Sequence, residues 1–422
     1  TVPLRGVEAV TLPGSMDAFC RLSNDWGKLG LDRVLAPAIH YAEEGVPVAP
    51  RVAFDWADDA PFLQGKARDF FLLDGAVPRA GQIFRAKGQA EVLRRVARQG
   101  RAGFYEGEVA EDLIGSLNAL GGAHTLDDLA ATHCTWGEPV AGDYGDVTVL
   151  EHPPNGQGAT AILMLNILKH FDLKSMNPFG AQRAHIEAEA GKLAYDTRNR
   201  FIAEHSPRLD HMLSDATAAK LAALIDPNRA SPNPNPLAEA IHRDTIYISV
   251  VDRDRMAVSL IYSIYYGFGA GLASSKFGVI FQNRGAGFSL TKGHPNELMG
   301  GKRPMHTIIP GMLKRKGKVI MPFGVMGGAY QPTGHARFVS NITDFGMDTQ
   351  AAVDGPRSFS WVDGMEVERG YSQDVRAQLA QMGHKVITPP DALGGAQNIL
   401  MQDSGVLIGA SDPRKDGCAL GY

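Results

Sequence analysis

The feature that most constrains this chain is an abrupt change of character just past its middle. Between Asp226 and Asp244 it reads DPNRASPNPNPLAEAIHRD, a stretch with four prolines and three asparagines. Proline removes a backbone donor and asparagine favours turns, so the stretch is expected to be a loop or linker with no regular element. Directly after it come TIYISVV and MAVSLIYSIYY, dense in the β-branched and aromatic residues that suit a pleated surface. The chain therefore divides into a region 1–244 and a region 245–422, with Thr245 as the first residue of a strand at the junction.

Ahead of the linker the sequence reads as helices joined by turns, over 17–26, 31–44, 89–99, 106–120, 157–170 and, most clearly, 181–203. In the last of these Ile186, Ala190, Leu193, Ala194 and Phe201 recur at helical spacing. Thr125 followed by Asp128 predicts a capped short helix that ends before Thr132. Beyond the linker, 277–281 is a third strand candidate. Helices first, then a sheet, then mixed elements make an α+β chain, and no repeat of fixed period points to a solenoid or propeller.

Composition narrows the partners. Lysine and arginine number 42 and aspartate and glutamate 46, interspersed to a net charge of -4, so no basic stripe speaks for nucleic acid or an anionic membrane. No apolar run reaches the roughly 18 residues of a spanning helix. A small-molecule partner is the expectation. Cys20, Cys134 and Cys418 are too scattered for a disulfide framework or a CxxC metal site and are expected to be buried thiols. His185 and Glu189 lie one helical turn apart, as metal ligands might, but no second histidine is expected to complete a site, and a solvated helix face is the reading. GFGAG at 267–271 lacks the third glycine and the acidic residue of a dinucleotide loop.

The strands 245–251 and 256–265 flank Asp252, Arg253, Asp254 and Arg255, a polar stretch suited to a hairpin turn. If Asp252 pairs with Met256, Thr245 falls opposite Ser263. Opposed residues have Cβ atoms roughly 4.5–5.5 Å apart on one face, so the two hydroxyls come within hydrogen-bonding reach. A cut between Asp244 and Thr245 would give Thr245 a free α-amine. Such an amine, with an ordinary pKa of about 7.7–8.0, suits a general base near neutrality. In PFGVMGGAYQ, Gly327 and Gly328 offer backbone N–H groups to a developing oxyanion, each such donor being worth about 2.7–4 kcal/mol. Singly these signals are ordinary: threonine is a good strand former, and Gly-Gly is a common turn.

Together, and in order along the chain, the motifs resemble the γ-glutamyltranspeptidase family. LPGSMDAF, LAPAIHYAEEGVPV, PPNGQGA and HIEAEAGKLAYDTRNRFIAE are similar to its large subunit. TIYISVVDRDRMAVSLIYS, GFGAGLASSKFGVIFQNRGAGFS, GKRPMHTIIPGM, GVMGGAYQPTGH and ASDPRKDGCALGY are similar to its small subunit. The resemblance implies a four-layer αββα sandwich of the N-terminal nucleophile hydrolase type and self-cleavage between Asp244 and Thr245. It also implies two subunits that stay together, an acyl-threonine intermediate, and no metal or organic cofactor. Thr245 matches the nucleophile, Ser263 the hydroxyl that helps activate it, and Gly327 and Gly328 the oxyanion hole. The family carries a further segment ahead of LPGSMDAF, including an arginine that grips the substrate α-carboxylate, so the chain is expected to begin partway through its protein.

The pocket departs from the γ-glutamyl pattern. Tyr265 stands where the family has a substrate-binding asparagine, Arg284 where it has a glutamine, Gly287 where it has an aspartate, and His306 and Thr307 where it has a serine pair. Loss of the aspartate removes the acceptor for an α-ammonium group, while Arg284 adds a cation suited to a carboxylate. Tyr265, Arg284, His306 and Thr307 are thus the expected substrate-binding set. The expected substrates are oxamate-like or glutaryl-like amides, with water as the usual acyl acceptor and an amine as the other. A true γ-glutamyltransferase or glutathione hydrolase is the alternative, and a silent binding protein is disfavoured because it needs neither nucleophile nor oxyanion hole. Three unpaired cysteines lean towards a cytoplasmic setting.

Overall fold

The computed structural model describes residues 2–232, 245–361 and 363–422; Asp244 and the adjoining part of the linker lie outside the described residues. Two compact units are present, Thr1–Trp136 with Ile264–Gly287, and Gly137–Ser263 with Phe288–Tyr422. They cut across the expected subunits, since a break in the chain and a compact body need not coincide.

The first unit is helical, with helices Ser15–Trp26, Leu31–Glu44, Lys87–Gln99 and Gly107–Ala119 close to where periodicity places them. Val92, Val96, Phe104, Leu113, Ile114 and Leu117 build its core, and Ala270, Leu272, Phe277 and Phe281 from the returning segment complete it. That segment is not a strand over 277–281. Reciprocal backbone bonds, Ala270 N–H to Phe281 O at 2.7 Å and Phe281 N–H to Leu272 O at 2.9 Å, fold GFGAG and its sequel into a closed loop instead. Its phenylalanines fill a helical core rather than a pleated face. Thr125 and Asp128 form the expected capping box on helix Leu126–Ala130.

The second unit is layered. Its six-stranded antiparallel sheet runs in the order Leu407–Ser411, Gly395–Met401, Lys318–Met326, Gly311–Arg315, Val147–Glu151, Val140–Tyr144. The last two strands lie in the half that reads as helical, their short alternation being a weak signal beside the longer helices. Side chains alternate across a strand, and the central strand Lys318–Met326 uses that alternation to separate two layers. Phe323 stacks on Phe338 at 5.3 Å, and Val325 N–H donates to His335 Nε2 at 3.0 Å, so both face helix Gln331–Thr343. Gly324, between them, faces the other way. A Cβ there would lie 2.4 Å from the Tyr247 ring, so glycine is what lets the Thr245 hairpin settle on the sheet. Tyr247 and Ser259 share a hydroxyl bond at 2.9 Å, and Ser259 Oγ donates to Phe323 O at 3.3 Å. Helix Gly158–Leu168, buried at all its residues, packs between the sheet and helix Ala181–Phe201. Helices, sheet and hairpin make three layers. No helix among the described residues is long and apolar enough to cross a membrane.

Of the thiols expected to be buried, Cys20 is, whereas Cys134 is half-buried and Cys418 exposed. Cys418 sits in the polar tail after Asp412, where little apolar surface is available to cover it.

Candidate active site

Strand Thr245–Val251 pairs with Ala257–Ser263 in the expected register, Thr245 opposite Ser263 throughout to Val251 opposite Ala257. Asp252 closes the turn, its N–H donating to Met256 O at 3.1 Å and its carboxylate accepting from Met256 N–H at 2.9 Å. Thr245 is buried, and its hydroxyl donates to Ser263 Oγ at 3.2 Å. The second strand ends at Ser263 rather than 265 because Tyr265 takes φ 82, a left-handed conformation that no strand continues through.

Strand Lys318–Met326 runs out into the glycine pair. Gly327 has φ 128 and Gly328 φ 56, and a Cβ on Gly327 would stand 2.8 Å from Gly394 Cα. The turn is held by its carbonyls. Gly327 O accepts from Tyr330 N–H at 3.0 Å, Gly328 O from Gln157 Nε2 at 3.0 Å, and Ala329 O from the Tyr195 hydroxyl. The first of these bonds fixes the Gly327–Gly328 peptide plane, which carries Gly328 N–H, and the other two brace the residues that follow it.

Gln157 reaches a second segment as well, donating to Thr307 O at 2.6 Å. Asn155 Nδ2 donates to Pro304 O at 2.7 Å and lies 2.9 Å from His306 Nδ1, while His306 N–H donates to Asn155 O at 2.8 Å. The PPNGQGA segment thus clamps His306 and Thr307 and ties them to the glycine turn. Sequence reasoning singled out this segment as a family motif and its end as the start of the helix over 157–170. The signal inside it is a lone glutamine before a buried helix, which composition and periodicity do not distinguish.

In the first unit, Arg284 and Tyr265 are both buried, with the guanidinium 4.3 Å from the ring centroid. Burial pushes the Arg284 pKa down to about 10 against the opposing influence of Tyr265, which leaves a cation at neutrality. Tyr265 holds its stack from a backbone conformation that costs a side-chain-bearing residue about 1–3 kcal/mol. The structure thus brings Thr245 to Ser263, Gly328 to Thr307 through Gln157, and Tyr265 to Arg284.

His185 and Glu189 are not on a solvated face; both are buried, because helix Ala181–Phe201 is covered on that side too. His384 lies 2.8 Å from His185 Nδ1, and His185 Nε2 lies 2.8 Å from Asp226 O. His384 is thus the second histidine that the sequence reading did not find, 199 residues away from His185, and the three side chains sit close enough to hold a metal ion; Lys192 Nζ, however, donates to Glu189 at 2.7 Å and already supplies the cation that carboxylate faces. The group grips the chain instead. Gln182 donates to Pro227 O at 2.6 Å, Lys192 to Ser231 O at 2.7 Å, and Ser231 N–H to Glu189 at 3.1 Å. Residues 182, 185, 189 and 192 form one stripe of the helix.

With the geometry in place, the family model for γ-glutamyltranspeptidase matches residues 1–422. The chain belongs to the γ-glutamyltranspeptidase family. It is 33% identical over 438 residues to the glutathione hydrolase-like YwrD proenzyme of Bacillus subtilis, covering 100% of this chain and 82% of that one. Identity to the oxamate amidohydrolase proenzyme of Klebsiella pneumoniae is also 33%, over 443 residues, 100% of this chain and 83% of that one. Among solved structures, the cephalosporin acylase from Bacillus halodurans superposes with a TM-score of 0.92 at 37% identity, covering 100% of this chain and 80% of that one. The protein is accordingly an amide hydrolase or acyltransferase with the N-terminal nucleophile fold.

Proposed function

We propose that the protein cuts itself between Asp244 and Thr245 and then hydrolyses small amides that carry a carboxylate but no α-ammonium group. The observation that carries the reading is the Thr245–Ser263 hydroxyl pair at 3.2 Å, set at the first residue of a strand. In maturation, Thr245 Oγ1 attacks the Asp244 carbonyl, and the peptide C–N bond gives way to an ester. That exchange frees the Thr245 α-amine, which takes up the hydroxyl proton, and water then hydrolyses the ester, releasing the Asp244 carboxylate and restoring the Thr245 hydroxyl. In turnover, the amine takes the Thr245 hydroxyl proton as the oxygen bonds to the substrate carbonyl, and it passes the proton to the leaving nitrogen. Gly327 and Gly328 N–H groups receive the developing negative charge. Water releases the acid and regenerates the hydroxyl. The regions 1–244 and 245–422 stay together, since helix Gly158–Leu168 on one side of the cut and the strands of 311–326 on the other share a core.

Substrate choice rests on charge. Arg284 is assigned to the acyl carboxylate because it keeps its cation while buried over the Tyr265 ring. His306 and Thr307 are assigned to the pocket wall. The four-layer αββα sandwich remains the proposed architecture, and the outer face of the hairpin, which exposes Ile246, Ile248, Val250 and Val258 in alternation, is an apolar face suited to a further layer. The reading is tested by steady-state turnover of oxamate, glutaryl amides and γ-glutamyl amides side by side, repeated with Arg284→Met. Oxamate or glutaryl amides are expected to lead, with Arg284→Met raising their KM. Preference for glutathione or a γ-glutamyl anilide would instead make the protein a γ-glutamyl hydrolase or transferase.

A further inference from the structure

Gln157 is the junction of the site, with both amide hydrogens and its oxygen engaged. It is fully buried. Its amide nitrogen has two hydrogens, and they go to Thr307 O at 2.6 Å and Gly328 O at 3.0 Å. Its oxygen accepts from Arg198 Nη1 at 2.7 Å. An amide is the side chain that can do this: the arginine demands an acceptor on one side, and two carbonyls demand donors on the other. The buried Arg198 therefore dictates which way the amide faces. Arg198 lies 4.7 Å over the Tyr195 ring, and the Tyr195 hydroxyl donates to Ala329 O. Two side chains one helical turn apart thus control two successive carbonyls of the glycine turn, one of them through Gln157.

We propose that Gln157, oriented by Arg198, is a positioning residue for acyl transfer. It sets the distance between the oxyanion turn at Gly327–Gly328 and the pocket segment at Thr307, and so sets where the substrate carbonyl stands when charge develops on it. This rests on the acyl-threonine reading above. Contacts that act on the transition state alone change kcat and leave ground-state binding in place. A displacement of about 1 Å in such a frame costs on the order of 10²-fold in rate.

The test compares wild type with Gln157→Glu and Gln157→Leu in the full chain, using the best amide of the panel and inhibition by its product acid. Gln157→Glu keeps the acceptor for Arg198 but turns a carboxylate towards two carbonyls; Gln157→Leu removes every bond. The proposal expects kcat per cleaved molecule to fall tenfold or more, with the product inhibition constant within about twofold of wild type. A smaller fall in kcat, or a rise in KM and in the inhibition constant at unchanged kcat, overturns it. If neither variant folds, Arg198→Met and Arg198→Lys replace them. The proposal then expects Arg198→Met to lose kcat at constant product affinity and Arg198→Lys to recover part of it, and no loss in Arg198→Met overturns it. Failure of the underlying reading looks different: the wild type itself would form no covalent acyl adduct on the fragment that begins at Thr245.

Discussion

Replacing Gly327 by alanine separates the oxyanion role of the turn from its role in stability. At φ 128 the added Cβ meets a backbone conformation that L side chains rarely adopt, and it stands 2.8 Å from Gly394 Cα. Gly394 is itself closely packed, with a positive φ of 69 and a backbone against which even a Cβ of its own would stand 2.3 Å from Met326 O. The strain is about 1–3 kcal/mol if the turn keeps its shape. If the turn relaxes, the Gly327–Gly328 peptide rotates and a donor is lost, which costs about 2.7–4 kcal/mol of transition-state stabilisation, or roughly 10²–10³ in kcat. Denaturant unfolding reads the first quantity, and kcat per cleaved molecule, with the cleaved fraction counted by mass spectrometry, reads the second. A variant that loses stability yet keeps kcat within threefold of wild type would refute the oxyanion assignment.

Two further outcomes follow from the helix stripe. Lys192→Met leaves the Glu189 carboxylate buried without its ammonium partner and is expected to cost about 3–5 kcal/mol in chemical denaturation; an unchanged midpoint would contradict the pairing. Burial, then Lys192 and His185, push the His384 pKa down from 6.5 to about 4. The folded state therefore resists a proton that the unfolded chain accepts, so this contribution to stability is complete above pH 6.5 and is lost as pH falls towards 4. The melting temperature should drop across that window in wild type and drop less in His384→Gln; equal slopes would refute the assignment.

The parts of this protein legible in its sequence are those governed by local rules. The hairpin register follows from one turn, Asp252 to Met256, and a two-residue period, and these two rules alone set Thr245 opposite Ser263. Helices Leu31–Glu44 and Ala181–Phe201 follow from their patterns and ends. Long-range packing is not legible in the same way. His185 and Glu189 look amphipathic by spacing, yet the helix is buried on several sides, so its polar residues are internal braces rather than a wet face. Gln157 gains its role from Thr307 and Arg198, 150 and 41 residues away. The segment 277–281 has strand composition, but its phenylalanines answer to a helical core. Strand Val140–Tyr144 is short and borrows its order from Val147–Glu151 beside it.

Every chemical role assigned to this site depends on the Asp244–Thr245 bond. Denaturing intact-mass spectrometry of freshly purified wild type and of Thr245→Ala measures its fate directly. Two fragments in the wild type, one ending at Asp244 and one beginning at Thr245, with a single uncut species in the variant, are the predicted result. A wild type that stays whole after prolonged incubation, or a variant cut at the same bond, would contradict a nucleophile at Thr245.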